Sequence, residues 1–356
     1  MACVSHLTYG EQHASLKSIA RTRGLNIGTM MRSRDLEDTA FTQVICNDFT
    51  QITPGTAFKW ETIRRTPFRF DFSWSDRAVS FAEAHGLRVR GHNLCWNAYN
   101  PSWVLDSVNK FNARHMLEIH IQTVVGRYRD KIASWDVVNE PLSGRSPRPD
   151  GLRPGVWLNS LGPEYIDVAF AAARSSDPKA LRVLNFNGLE HPGTDSELNC
   201  VQALQLLKSL LSRGVPVQAI GLESHLDASR PIGSPSLVSL INGARALGLE
   251  VVITELDVDD TRIARPAEQR RNVVADCYRS YLEYMIPLAA PRELTFWSIR
   301  DRDNWYDSYA AHDQTYRRSD GMPHLPGLYN EELQPTPAFL AVQHSLGVSR
   351  NARVRP

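Results

Sequence analysis

Short runs rich in Val, Ile and Leu alternate along this chain with longer segments whose apolar residues recur at helical spacing. Eight runs have the length and content of strands, at 25–30, 49–53, 87–94, 134–139, 181–186, 219–224, 250–255 and 294–299. Helical periodicity fills 75–84, 113–129, 164–175, 196–212, 235–247 and 267–285. Shorter helices are expected over 36–47 and 337–346, and an amphipathic 15–23 precedes the first strand. Repeated β-then-α units imply parallel strands with helices outside, because each crossover must lay its helix back on the sheet. Eight of them predict an α/β fold of the (β/α)8 TIM-barrel type: one domain over 1–356, its base closed by a helix within residues 1–24. An open doubly wound sheet is the alternative, yet the first strand, Asn26-Ile27-Gly28-Thr29-Met30-Met31-Arg32, leads into no glycine-rich phosphate turn. The Pro/Gly/Arg-rich stretch 143–155 has the composition of a linker, but a break after the fourth strand would split one core in two. It reads instead as a long loop at the strand C-terminal ends, as does 306–328.

A chain of 356 residues, 42% of them hydrophobic, can bury a large core without disulfides or metals. The net charge of +1 gives no basic face for a phosphate backbone, and no apolar run is long enough to cross a bilayer, so neither nucleic acid nor membrane is an expected partner. The five cysteines, Cys3, Cys46, Cys95, Cys200 and Cys277, are irregularly spaced and read as buried hydrophobes or surface thiols. The N-terminus carries no secretory pattern, giving a cytoplasmic expectation, or a secreted one if a signal preceded it. No cofactor is implied, and oligomeric state is not legible. Nor is metal chemistry, since His115 and His120 lie five apart on an expected outer helix and do not share a face. His191, His312 and His324 sit in loops, open to substrate or solvent.

Two acids end apolar β-branched runs: Glu140 closes Trp135-Asp136-Val137-Val138-Asn139-Glu140 and Glu255 closes Val251-Val252-Ile253-Thr254-Glu255. A strand buried on both faces has no solvated side for a carboxylate, so an acid at its last residue implies a polar pocket at the strand's end. Other expected strand ends carry Lys59 and Trp60, His92 and Trp96, Asn139, Asn185 and Asn187, Glu223 and His225, then Trp297 and Trp305. Indole faces stack on the C–H faces of sugars while Lys, His, Asn and carboxylate groups bond hydroxyls, which suits a carbohydrate.

With Glu140 and Glu255 in place, the motifs Trp135-Asp136-Val137-Val138-Asn139-Glu140-Pro141 and Val252-Ile253-Thr254-Glu255-Leu256-Asp257 closely resemble the two active-site signatures of glycoside hydrolase family 10, the β-1,4-xylanases and their relatives. The resemblance extends to Phe58-Lys59-Trp60-Glu61, Gly91-His92-Asn93-Leu94-Cys95-Trp96, Gly221-Leu222-Glu223-Ser224-His225, Phe296-Trp297-Ser298 and Asp303-Asn304-Trp305, nearly the whole chain in order. It implies a retaining β-glycosidase with Glu140 as general acid/base and Glu255 as nucleophile, their carboxyls about 5 to 5.5 Å apart. It also implies that Asn139 bonds the 2-hydroxyl, that Lys59, His92 and Trp96 line the same sugar, that His225 orients the nucleophile, and that Trp297 and Trp305 form the floor and lip of a cleft.

The chain departs from that family pattern where Gly55, Thr56 and Ala57 replace the usual Glu-Asn-Ala, where Asn97, Ala98 and Tyr99 replace His-Ser-Gln, and where Glu223 replaces glutamine. The first two sets would grip the next sugar on the non-reducing side; losing partners worth on the order of 1 kcal/mol each weakens that subsite. Glu223 beside Glu255 should share a proton with it, giving an acid-shifted activity whose alkaline limb moves in Glu223→Gln. The expected function is a retaining β-glycosidase acting on a glycan or glycosylated small molecule other than ordinary xylan. The alternatives are a xylanase proper, a barrel recruited to acid/base rearrangement, cyclisation or dehydration in biosynthesis, and an inactive carbohydrate-binding protein.

Overall fold

Every pairing between named strands is parallel, and eight of nine strands close into a ring. The computed structural model describes residues 14–302 and 304–347; Cys3, Asp303, residues 1–13 of the expected base-closing segment and residues 348–356 of the expected domain lie outside them. The strands are β1 (Asn26–Met31), β2 (Gln51–Pro54), β3 (Arg88–Gly91), β4 (Ser134–Asn139), β5 (Leu181–Phe186), β6 (Ala219–Leu222), β7 (His225–Asp227), β8 (Glu250–Asp259) and β9 (Glu293–Phe296). Around the ring the order is β1-β2-β3-β4-β5-β6-β8-β9, with β9 returning to β1 through Asn26↔Glu293 to Thr29↔Phe296. This is the (β/α)8 barrel that the alternation predicts. Helices Ser73–His85, Ala113–Arg127, Tyr165–Ser176, Thr194–Ser212, Pro235–Ala246 and Ala267–Ala289 occupy the crossovers.

β4 and β5 are buried at every position, their apolar residues interrupted by Ser134, Asp136, Asn139, Arg182 and Asn185. In β3, Arg90 is fully buried, paired with Asp136 and 3.7 Å from Glu293, which also accepts from Ser134 at 2.9 Å. The barrel interior therefore carries an ion network where the run 87–94 had suggested apolar filling. Beyond it, Gly91 lies so close to the Trp135 ring that any Cβ would collide with it.

Several strand boundaries fall elsewhere than periodicity places them: β2 starts at Gln51, β6 ends at Leu222 and β9 at Phe296, and β3 and β8 differ for reasons that bear on the site. β3 stops at Gly91, because the following residues bend into the mouth, where Leu94 donates to the Asp136 carbonyl at 3.0 Å. β8 runs on to Asp259 because its far half pairs with β7, His225 opposite Asp257. Its register against β9 slips between Ile253 and Leu256, a bulge of the kind that re-aims a side chain. Glu255 sits in that bulge, not at a strand end.

Four short helices, Trp60–Ile63, Ser102–Ser107, Val156–Leu161 and Trp305–Ala310, escape periodicity because one turn or so shows no repeat. His120, expected on an outer surface, is fully buried and stacked on Trp60 with centroids 3.6 Å apart, its pKa pushed well down by burial and then by Arg64. His191 and His324 are likewise buried: His191 bonds the Pro231 carbonyl and the Asp227 amide, and His324 bonds Thr261 and Asp307. His115 and His312 are exposed, and Cys46, Cys95, Cys200 and Cys277 are free thiols.

Candidate active site

The C-terminal ends of the strands bring the two acids to one mouth. Glu140 follows β4 with φ at 49°, a left-handed turn that lifts the chain off the strand just where the carboxylate stands. Its Oε2 accepts from Asn187 Nδ2 at 3.0 Å and lies 3.3 Å from the Arg153 guanidinium; Asn139 Nδ2 stands 3.5 Å from Oε1. Glu255 Oε1 accepts from Asn185 Nδ2 at 3.0 Å and lies 3.6 Å from His92 Nδ1, while its Oε2 is 3.6 Å from His225 Nε2. The same Asn185 amide donates to Asn139 Oδ1 at 2.7 Å and lies 3.2 Å from Glu223 Oε1. Asn185, fixed in turn by the Thr254 hydroxyl at 2.8 Å, thus ties the β4, β6 and β8 groups together.

The two histidines are held from behind. Asp136 accepts from His92 Nδ1 at 2.9 Å, and Asp257 from His225 Nδ1 at 2.6 Å. Asp257 also receives the Trp305 indole N–H at 2.5 Å and the Tyr306 hydroxyl at 2.6 Å, which seats the helix Trp305–Ala310 against the site. Trp297 meets His92 edge-on at 5.1 Å, and Trp305 lies 5.0 Å from the His225 ring. Lys59, buried, sits 4.9 Å over Trp96 and 4.1 Å over Tyr99, two rings stacked at 17°. The Trp96 indole N–H is buried with no partner, a donor aimed at nothing in the protein. Asn97 is half-buried with an unpartnered Oδ1, and Thr56 is exposed.

A model of the glycosyl hydrolase family 10 matches residues 15–345. The chain belongs to that family. Endo-1,4-beta-xylanase A of Phanerodontia chrysosporium is 33% identical over 303 residues, covering 82% of this chain and 70% of that one. Endo-1,4-beta-xylanase B of Thermotoga neapolitana is 28% identical over 347 residues, covering 96% and 94%. Among solved structures, native xylanase 10B from Thermotoga maritima superposes with a TM-score of 0.82 at 27% identity, covering 93% of this chain and 98% of that one. Xylanase 10B from Thermotoga petrophila in complex with xylobiose gives 0.81 at 26%, covering 96% and 98%.

In this family 10 glycosidase the carboxyls are pulled in opposite directions. Burial raises the Glu140 pKa and the Glu255 charge adds to it, against the lowering influence of Arg153, His225 and His92. Burial would raise Glu255 too, but His92, His225 and Lys59 outweigh it and hold the pKa at about 2. Glu223 is pushed well up by burial, then by the charges of Glu255 and Glu140. His225 is lowered by burial but carried well above the usual histidine range by Asp257 and Glu255. Burial lowers Lys59, with Glu255, Glu140, Glu223 and Glu61 opposing it.

All eleven residues expected at the substrate are at or beside this mouth; Thr56, exposed on the turn after β2, accepts from the Lys59 amide through its carbonyl at 3.2 Å. Sequence reasoning passed over Arg153, Asp136, Asp257, Tyr306 and Tyr309. Asp136 and Asp257 lie inside the quoted motifs and could have been found as buried-strand acids; Arg153 and the tyrosines come from loops with no local signal. Among the described residues Glu223, His225 and Glu255 bring possible ligand atoms within 4.8 Å of one another, as do His92, Asp136 and Glu255, and Asp259, Asp260 and His324. In the third cluster Asp260 is neutralised by Arg270 and Arg318.

Proposed function

We infer that this enzyme hydrolyses β-1,4-xylosidic or closely related β-glycosidic linkages with retention, Glu140 acting as acid/base and Glu255 as nucleophile. The observation that carries it is two carboxyls sharing one mouth in opposed surroundings: Glu140 raised by burial and by the Glu255 charge, Glu255 beside His92 and His225 and lowered to about 2. A protonated Glu140 delivers its proton to the leaving oxygen while Glu255 attacks the anomeric carbon. Once Glu255 is esterified its charge is gone, and with it the repulsion that helped keep Glu140 protonated. Glu140 then turns more acidic as the water to be deprotonated arrives, so one residue serves both steps. Asn139, Lys59, His92 and the unpartnered Trp96 N–H supply donors for the hydroxyls of the sugar being cleaved, with Trp297 as its apolar floor.

The relatives' activity on endo-1,4-β-xylosidic bonds supports a xylan-type linkage. The Gly55-Thr56-Ala57 and Asn97-Ala98-Tyr99 segments support glycone recognition rebuilt beyond the first sugar, and a β-glycosylated small molecule would meet the same groups. An activated 2-deoxy-2-fluoro-β-xyloside tests the assignment: peptide mass spectrometry should place the glycosyl adduct on Glu255. In Glu140→Ala, azide should restore turnover and give the β-glycosyl azide. An adduct on any other residue, or an initial product of inverted configuration by NMR, sinks the reading.

A further inference from the structure

Loops from two well-separated strands meet over the mouth. The Tyr99 hydroxyl, on the loop after β3, hydrogen-bonds the Tyr309 hydroxyl, on the helix Trp305–Ala310 after β9, at 2.6 Å. In the ring β3 and β9 are separated by β2 and β1, so this pair spans the quadrant onto which those two strands open. Glu140 follows β4 and Glu255 stands on β8, on the opposite arc.

The bridge is braced at both ends. Tyr99 stacks on Trp96 at 5.1 Å, takes the Lys59 ammonium 4.1 Å over its ring, and its carbonyl accepts from the Glu61 amide at 3.1 Å. Its φ of 52° is one that a bulky aromatic adopts only when its surroundings impose it. Tyr309 packs edge-on against Trp305 at 5.2 Å, and Trp305 is fastened to Asp257. In that quadrant the turn after β2 carries small residues, Gly55, Thr56 and Ala57. Gly55 has no side chain, a Cβ there would press on Met30 Cγ at 2.9 Å, and Thr56 is exposed.

We propose that the Tyr99–Tyr309 pair walls off the cleft on the non-reducing side, so that the site takes a single glycone unit and the enzyme removes terminal residues instead of cutting within chains. The inference rests on the β-glycosidase reading above and concerns its specificity.

The test compares 4-nitrophenyl β-xyloside with β-xylobioside, and β-glucoside with β-cellobioside. In the series the enzyme accepts, kcat/KM for the one-unit substrate should exceed that for the two-unit substrate at least tenfold. Tyr99→Ala should move that ratio at least tenfold towards the two-unit substrate. Tyr309→Ala, at a position 39% exposed where folding is not at risk, should move it the same way. A parent that prefers the two-unit substrate, or a ratio that neither variant shifts, overturns the wall while leaving the glycosidase assignment standing. Silence on all four substrates, with no fluoro-sugar adduct, overturns the assignment itself and the wall with it.

Discussion

Glu223 shows how the surroundings of one residue set its role. Sequence reasoning expected it to share a proton with Glu255 and to shift activity towards acid. The structure divides the charge unevenly: Glu255 lies beside His92 and His225, whereas Glu223 accepts from Asn185 and stands 3.9 Å from His225. Burial and the charges of Glu255 and Glu140 push Glu223 well up, and burial raises Glu140 as well. A Glu223 that stays neutral across the working range would leave the alkaline limb to Glu140. Glu223→Gln, which exchanges one neutral donor for another, is expected to leave that limb in place and kcat within about tenfold, one broken hydrogen bond being worth roughly 1 kcal/mol. Its mark should be on stability. A carboxyl whose pKa is raised by folding binds its proton more tightly in the native state, so the parent loses stability as pH rises above about 4.5, the ordinary glutamate value. Melting curves at pH 5 and pH 8 should show the variant's advantage growing with pH; a constant gap would mean that Glu223 is ionised in the fold.

At the scale of elements, the loop after β4 delivers a charge to the acid. Arg153 reaches Glu140 at 3.3 Å and Asn187 Oδ1 at 3.2 Å, and is anchored by its Nε on the Leu142 carbonyl at 3.1 Å. The guanidinium lowers the Glu140 pKa against burial, so Arg153→Gln should move the alkaline limb of kcat/KM upward. Because Arg153 is 28% exposed the pair is worth about 1 kcal/mol or less, and the rate at the optimum should change by less than tenfold. An alkaline limb that stays put would make the contact incidental. The composition of 143–155 shows a long loop but not this reach, since which side chain touches Glu140 depends on how the segment folds back through the Leu142–Leu152 bridge. The bulge at Glu255 was hidden for a similar reason: Val251-Val252-Ile253-Thr254-Glu255 is one strand by propensity, and only pairing with β7 and β9 makes it slip.

Over the whole molecule, the first and last helices of the described residues pack together beside the closed ring. The helix Pro337–Gly347 buries Phe339, Val342 and Leu346, and Gln343 donates to the Ala14 carbonyl at 2.7 Å next to the helix Leu16–Thr22. Phe339→Ala should cost about 3–5 kcal/mol in denaturant unfolding while leaving KM unchanged, because the ring packs on Tyr329 at 5.3 Å and not on the site. A KM that shifts with stability would show that the terminal helix reaches the mouth. What the sequence by itself determined was the eightfold alternation and the identity of the acids, because hydrophobic period and buried-strand composition are local properties that survive unfolding. Tertiary structure decided the rest. The ion network on Arg90, the opposed pulls on three glutamates, the touch of Arg153 and the meeting of Tyr99 with Tyr309 all join groups far apart along the chain. Their energies depend on distance and burial, and only the closed barrel fixes these.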